Sequence, residues 1–105
     1  MVSLTHLSVG GNDSLVGDTD ILPSLTNLIY LDVHGDGLTT VPDLSASHSS
    51  LISLNLGYNP SIFFAEPIVE YGLTNLSSLD ISHCSLSDVS SLFFLEHLTT
   101  LDISF

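Results

Sequence analysis

The groups able to do chemistry in this 105-residue sequence are twelve carboxylates, five histidines and a single cysteine. Asp32-x-His34-x-Asp36 has the spacing that suggests a metal site, because a strand's period of two puts Asp32 and His34 on one face. Asp36 lies beyond such a strand, and no second histidine aligns beside His34, so no metal is assigned. Cys84 has no partner for an internal disulfide, and no spaced base marks it as a nucleophile. The sequence contains no G-x-S-x-G, H-E-x-x-H, Walker loop or G-x-G-x-x-G. The expectation is no catalysis, no metal and no cofactor.

Charge narrows the partners. Lysine and arginine are absent, so the net charge is −12, and charged residues make up 11% of the chain, where roughly a quarter is usual. Nucleic-acid binding requires cations to replace counterions at phosphates, and a polybasic membrane anchor requires the same groups. Both are excluded. No salt bridge forms except through a protonated histidine. Any partner attracted by this field carries a basic surface. Carboxylates that repel one another without cations nearby are expected to have raised pKa values, so that stability rises between pH 7 and 5. The longest apolar runs, such as Leu92-Phe93-Phe94-Leu95, fall far below the ~20 residues of a membrane span. Membrane insertion is not expected.

The elements that must position these groups come from a repeat. Leu4-x-x-Leu7-x-Val9-x-x-Asn12 returns as Leu28-x-x-Leu31-x-Val33-x-x-Asp36, Leu51-x-x-Leu54-x-Leu56-x-x-Asn59 and Leu76-x-x-Leu79-x-Ile81-x-x-Cys84. A fifth copy begins at Leu98-x-x-Leu101-x-Ile103. The starts are 24, 23, 25 and 22 residues apart. Alternation such as Leu31-Asp32-Val33 reads as a half-buried strand of about five residues. One such unit cannot bury its apolar face alone, so the copies must stack into a parallel sheet. Leu7, Leu31, Leu54, Leu79 and Leu101 then form one buried column, and Val9, Val33, Leu56, Ile81 and Ile103 the next.

The pattern resembles the leucine-rich repeat, L-x-x-L-x-L-x-x-[NC]-x-L. Residues 76–97 are its most regular copy. Their Leu86-x-x-Val89-x-x-Leu92-x-x-Leu95 tail suits 3₁₀ turns and is similar to the 22-residue class of bacterial internalins and a phosphatase regulatory subunit. Leu15 and Ile62 stand one residue late, and His48 occupies a position usually held by leucine. The resemblance implies an α/β-type solenoid of about four and a half repeats over residues 1–105. A parallel sheet would form its concave side, with 3₁₀ turns and loops on its convex side.

It also implies roles. Asn12, Asp36, Asn59 and Cys84 would form an inward ladder that hydrogen-bonds the turning backbone, and Cys84 would be a structural thiol. Position five of each copy would face the concave side, giving Ser8, Asp32, Asn55, Asp80 and Asp102. His6 and Tyr30 flank that column on one side and His34 on the other, with Gly10 and Gly57 beside it; Tyr58 and His83 follow at the strand exits. These aromatic and acidic side chains are the candidate binding residues for a basic protein partner. The alternative is a structural spacer of a larger cell-surface or adhesive protein. Asp at position five is common in the family for structural reasons, which favours that alternative. Low charge and abundant Ser and Thr lean toward a secreted or surface parent, while the lone cysteine and lack of a signal peptide lean away. Of the sequons, only Asn75-Leu76-Ser77 is a credible acceptor. The last strand, Leu98–Ser104, lacks a return segment. This leads to the expectation of a fragment that associates with further copies through that edge.

Overall fold

The computed structural model describes residues 4–8, 10–11 and 25–104. Within them the chain forms β1 (His6–Ser8), β2 (Tyr30–Asp32), β3 (Ser53–Asn55), α1 (Glu66–Glu70), β4 (Ser78–Asp80) and β5 (Thr100–Asp102), with 3₁₀ turns at Ser45–Ser47 and Ser90–Phe94. The strands make one parallel sheet in chain order, β1-β2-β3-β4-β5. Its register aligns Leu7, Leu31, Leu54, Leu79 and Leu101, and beside them Ser8, Asp32, Asn55, Asp80 and Asp102.

Each strand has three residues, shorter than the five expected. The cross-strand bonding is not shorter. Ile52 N–H donates to Ile29 and Ser77 N–H to Ile52 before the strands begin. Val33 N–H donates to Asn55 and Leu56 N–H to Asp80 after they end. The backbone bends away from ideal strand geometry on both sides while keeping its donors satisfied.

The middle leucine of each strand points into the core, where Leu31, Leu54 and Leu79 are at most 1% exposed. Val33, Leu56 and Ile81 form the second buried column. The opposite wall comes from Leu38, Val41, Leu44, Ile62, Ala65, Ile68, Leu92 and Leu95. Ile62 is fully buried, so its one-residue offset is absorbed by the local loop. Val9, Asn12, Leu15 and Phe105 lie outside the described residues.

The outer segments differ from the expected run of 3₁₀ turns in one place. The 25-residue spacing between Leu51 and Leu76 accommodates the helix α1. Pro67 presets the first turn, and Gly72, at φ +76°, ends the segment. Asp43 and Asp88 precede the two 3₁₀ turns. Each accepts the N–H two residues on, from Ser45 at 3.0 Å and Ser90 at 2.8 Å.

Asn59 ties neighbouring layers together. Its Oδ1 accepts from Asp36 N–H at 3.1 Å and Leu38 N–H at 3.0 Å. Its Nδ2 donates to the carbonyls of Leu56 at 2.8 Å, Val33 at 3.2 Å and Gly57 at 3.3 Å. Cys84 does the same more weakly, with Sγ–H donating to the Leu56 carbonyl at 3.3 Å. Asp36 and Asn59 are fully buried. Asn59 and Cys84 thus bond the backbone of their own and the neighbouring layer from inside.

At β5 the described core is less covered. Leu101 is 42% exposed. A cavity of about 350 Å³ is lined there by apolar side chains including Leu92, Leu98, Leu101 and Ile103. Phe63, Phe64, Phe93 and Phe94 are exposed on the outer segments.

Candidate binding face

The sheet face opposite the core carries the residues singled out by the sequence. Parallel register brings His6, Tyr30, Ser53, Ser78 and Thr100 into one row and Ser8, Asp32, Asn55, Asp80 and Asp102 into the next. His34 and Tyr58 follow β2 and β3, and His83 follows β4.

Position-five side chains share a local bond. Oδ1 of Asp32 accepts from His34 N–H at 3.1 Å, Asn55 from Gly57 N–H at 2.9 Å, Asp80 from Ser82 N–H at 2.9 Å, and Asp102 from Ser104 N–H at 3.1 Å. Each closes the turn that ends its strand. One oxygen of every position-five carboxylate is thus committed to its own backbone.

Asp32 departs from the expected acidic stripe. It is 8% exposed, covered by its neighbours. His34 Nδ1 lies 2.6 Å from Asp32 Oδ1, and Tyr30 O–H donates to Oδ2 at 3.5 Å. Asp32 anchors those two rings and presents little oxygen of its own. The bond to Asp32 raises the His34 pKa, against a smaller lowering by desolvation. The ring occupies space above Gly10 that a Cβ there would fill. The glycine beside His34 is the room this contact needs, and the contact, an ion pair when His34 is protonated, is the sole one of its kind among the described residues.

Asp80 is half-buried and Asp102 exposed. Backbone N–H donation from Ser104 holds the Asp102 carboxyl below its ordinary value, and Ser90 N–H does so for Asp88; Asp43 is lowered first by the Ser45 hydroxyl and then by its N–H. The resolved shifts of these carboxylates run downward, against the expectation from mutual repulsion. A directed N–H a few ångströms away outweighs like charges dispersed in water.

The strand exits hold a feature that residue types alone left unread. Gly11, Gly35, Tyr58 and His83 are equivalent in the alignment, and all four have left-handed backbone, at φ +80°, +63°, +58° and +56°. Glycine adopts this region freely; tyrosine and histidine do so at a cost of roughly 1–2 kcal/mol each. The signal was available, since two of the four aligned copies carry glycine. The Tyr58 and His83 rings stack with centroids 4.2 Å apart and an interplanar angle of 16°. Tyr58 is 59% exposed. A second stack, His6 on Tyr30, has centroids 5.9 Å apart.

The remaining candidates for chemistry do not converge. Asp36 is buried in the core while Asp32 and His34 pair on the sheet face. Among the described residues no group of three or more His, Cys, Asp or Glu could hold a metal ion. Burial pushes the Cys84 thiol up, away from the reactive thiolate. Asn75 is exposed, with its Nδ2 donating to the Ser49 carbonyl at 2.8 Å. No described helix is long and apolar enough to cross a membrane.

The family model for the Leucine Rich Repeat matches residues 75–95, a span that holds β4, Cys84 and the Ser90–Phe94 turn. Residues 75–95 carry a leucine-rich repeat. The match covers the copy with the most regular sequence. No curated protein matches the chain. Leucine-rich repeats in general mediate protein–protein interaction without catalysis.

Proposed function

We propose that residues 1–105 form one internalin-like solenoid of about four and a half leucine-rich repeats, whose concave sheet face binds a basic protein without catalysis. The observation that carries the reading is the Tyr58–His83 pair. Both residues sit in a backbone conformation that glycine adopts at no cost in the aligned copies. Their rings nevertheless stack in solvent, where burial contributes little. Strain kept at an exposed aromatic pair points to recognition. Asp80 and Asp102 lie in adjacent strands beside it, and the chain offers no lysine or arginine to neutralise them. Asn55, His6, Tyr30 and His34 extend the surface; Asp32 supports it from beneath.

The second reading, a structural spacer, draws on the turn-closing bonds of Asn55, Asp80 and Asp102, which explain those residues without a partner. Chemical-shift mapping with decalysine separates the two. Docking on the concave face shifts Tyr58, Asp80, His83 and Asp102. Diffuse shifts, or shifts centred on the outer carboxylates Asp43, Glu66, Glu70 and Asp88, would refute the docking reading and leave the spacer.

A further inference from the structure

Resting on that docking reading, we propose that the concave face is gated by protons: His6, His34 and His83 counter its carboxylates on mild acidification and release a lysine- or arginine-rich partner segment. The composition makes histidine the only side chain able to gain positive charge. Three of the five histidines stand on this one face. His48 follows the Ser45–Ser47 turn, and His97 lies between the Ser90–Phe94 turn and β5.

Each histidine is tied to the binding surface. His34 Nδ1 is 2.6 Å from Asp32 Oδ1. Asp36 from the following turn and Asp80 from β4 also act on it, while its β1 and β3 flanks present the uncharged Gly10 and Gly57. His83 stacks on Tyr58 and interacts with Asp102 on β5. His6 stacks on Tyr30, which reaches Asp32. The carboxylates Asp32, Asp80 and Asp102 are matched by these three imidazoles. The face is triply negative when the histidines are neutral and has no net charge when all three are protonated. A bound cation about 10 Å from each new charge loses roughly a factor of two per histidine in water, or about tenfold for three.

The test is titration of fluorescein-labelled decalysine with the 105-residue chain at constant low ionic strength, from pH 7.5 to 5.0. Affinity is expected to fall about tenfold. In the variant H6N/H34N/H83N, whatever its affinity at pH 7.5, the ratio across that range is expected to be less than twofold. A mutant-free measurement uses reciprocity: if protonation expels the probe, bound probe must lower the histidine pKa values. Histidine Cε1–H resonances, followed with and without saturating decalysine, should show His34 titrating at lower pH in the complex. Failure to bind at pH 7.5 would remove the docking reading itself. Binding with an unchanged affinity at pH 5.0, an equal loss in the histidine variant, or a His34 resonance whose titration is unmoved by the probe would each overturn the gate and leave docking in place.

Discussion

Replacing Asn59 by alanine removes five hydrogen bonds at one fully buried position. They are not equal in consequence. The Gly57 carbonyl keeps a bond from Gly35 N–H, and the Leu56 carbonyl keeps the Cys84 thiol. The Asp36 and Leu38 N–H groups have Asn59 Oδ1 as the acceptor they share. Leaving the buried Leu38 N–H and Val33 carbonyl unpaired costs about 1–3 kcal/mol each, so the substitution should cost about 4 kcal/mol. A chain of this size is stable by about 5–15 kcal/mol, so the loss is large. With a urea slope near 1.5 kcal/mol/M, the midpoint of denaturation by circular dichroism should fall by about 2–3 M with the slope unchanged. Cys84→Ala is the internal standard. It removes one weak S–H donor from a carbonyl that Asn59 also serves, and should cost about 1 kcal/mol. An Asn59→Ala cost under about 1 kcal/mol, or a Cys84→Ala cost equal to it, would refute the claim that the ladder holds the layers together.

The left-handed strand exits make a second prediction: Tyr58→Gly should leave stability within about 1 kcal/mol of the parent, because relief of strain offsets the lost stack, whereas the β-branched Tyr58→Val should lie about 1–2 kcal/mol lower by urea titration. Stability should also depend on pH with two opposed limbs. The raised His34 pKa contributes stability fully present below its ordinary 6.5 and lost as pH rises through the folded value. The lowered Asp43, Asp88 and Asp102 contribute stability present above their ordinary 3.8 and lost as pH falls through the folded values. Thermal melts should therefore peak between those limits, and Asp32→Asn should flatten the alkaline limb; a limb unchanged by Asp32→Asn would assign it elsewhere. Leu79→Ala should cost about 3–4 kcal/mol and Leu101→Ala about half as much, since the first is 1% and the second 42% exposed; equal costs in urea titrations would contradict that difference in burial.

Much of this molecule was legible in residue order because its units repeat. Aligning Leu31, Leu54 and Leu79 gives the strand register directly, since a one-residue slip would turn every leucine outward. The inward placement of Asn59 and Cys84 followed from position and family resemblance alone. The sign of the chain's own field also followed, because lysine and arginine are absent. Spacing did not reveal what side chains do to one another across the layers. Asp32, Asp80 and Asp102 are the same residue at the same position, yet Asp32 is covered while Asp102 stands in solvent. The difference comes from the large rings of Tyr30 and His34, which close over one carboxylate, whereas Ser78 and Ser82 flank Asp80 and Thr100 and Ser104 flank Asp102. The downward carboxylate shifts likewise depend on N–H groups that only the folded turn aims at an oxygen. The left-handed Tyr58 and His83 and their 4.2 Å stack belong to neighbouring layers, so their meeting is a property of the stacked sheet. Sequence periodicity determined which residues face the core, because burial depends on local pattern. Tertiary structure decided which polar groups pair, shield or stay open, because those energies fall off within a few ångströms and depend on the neighbour across the sheet.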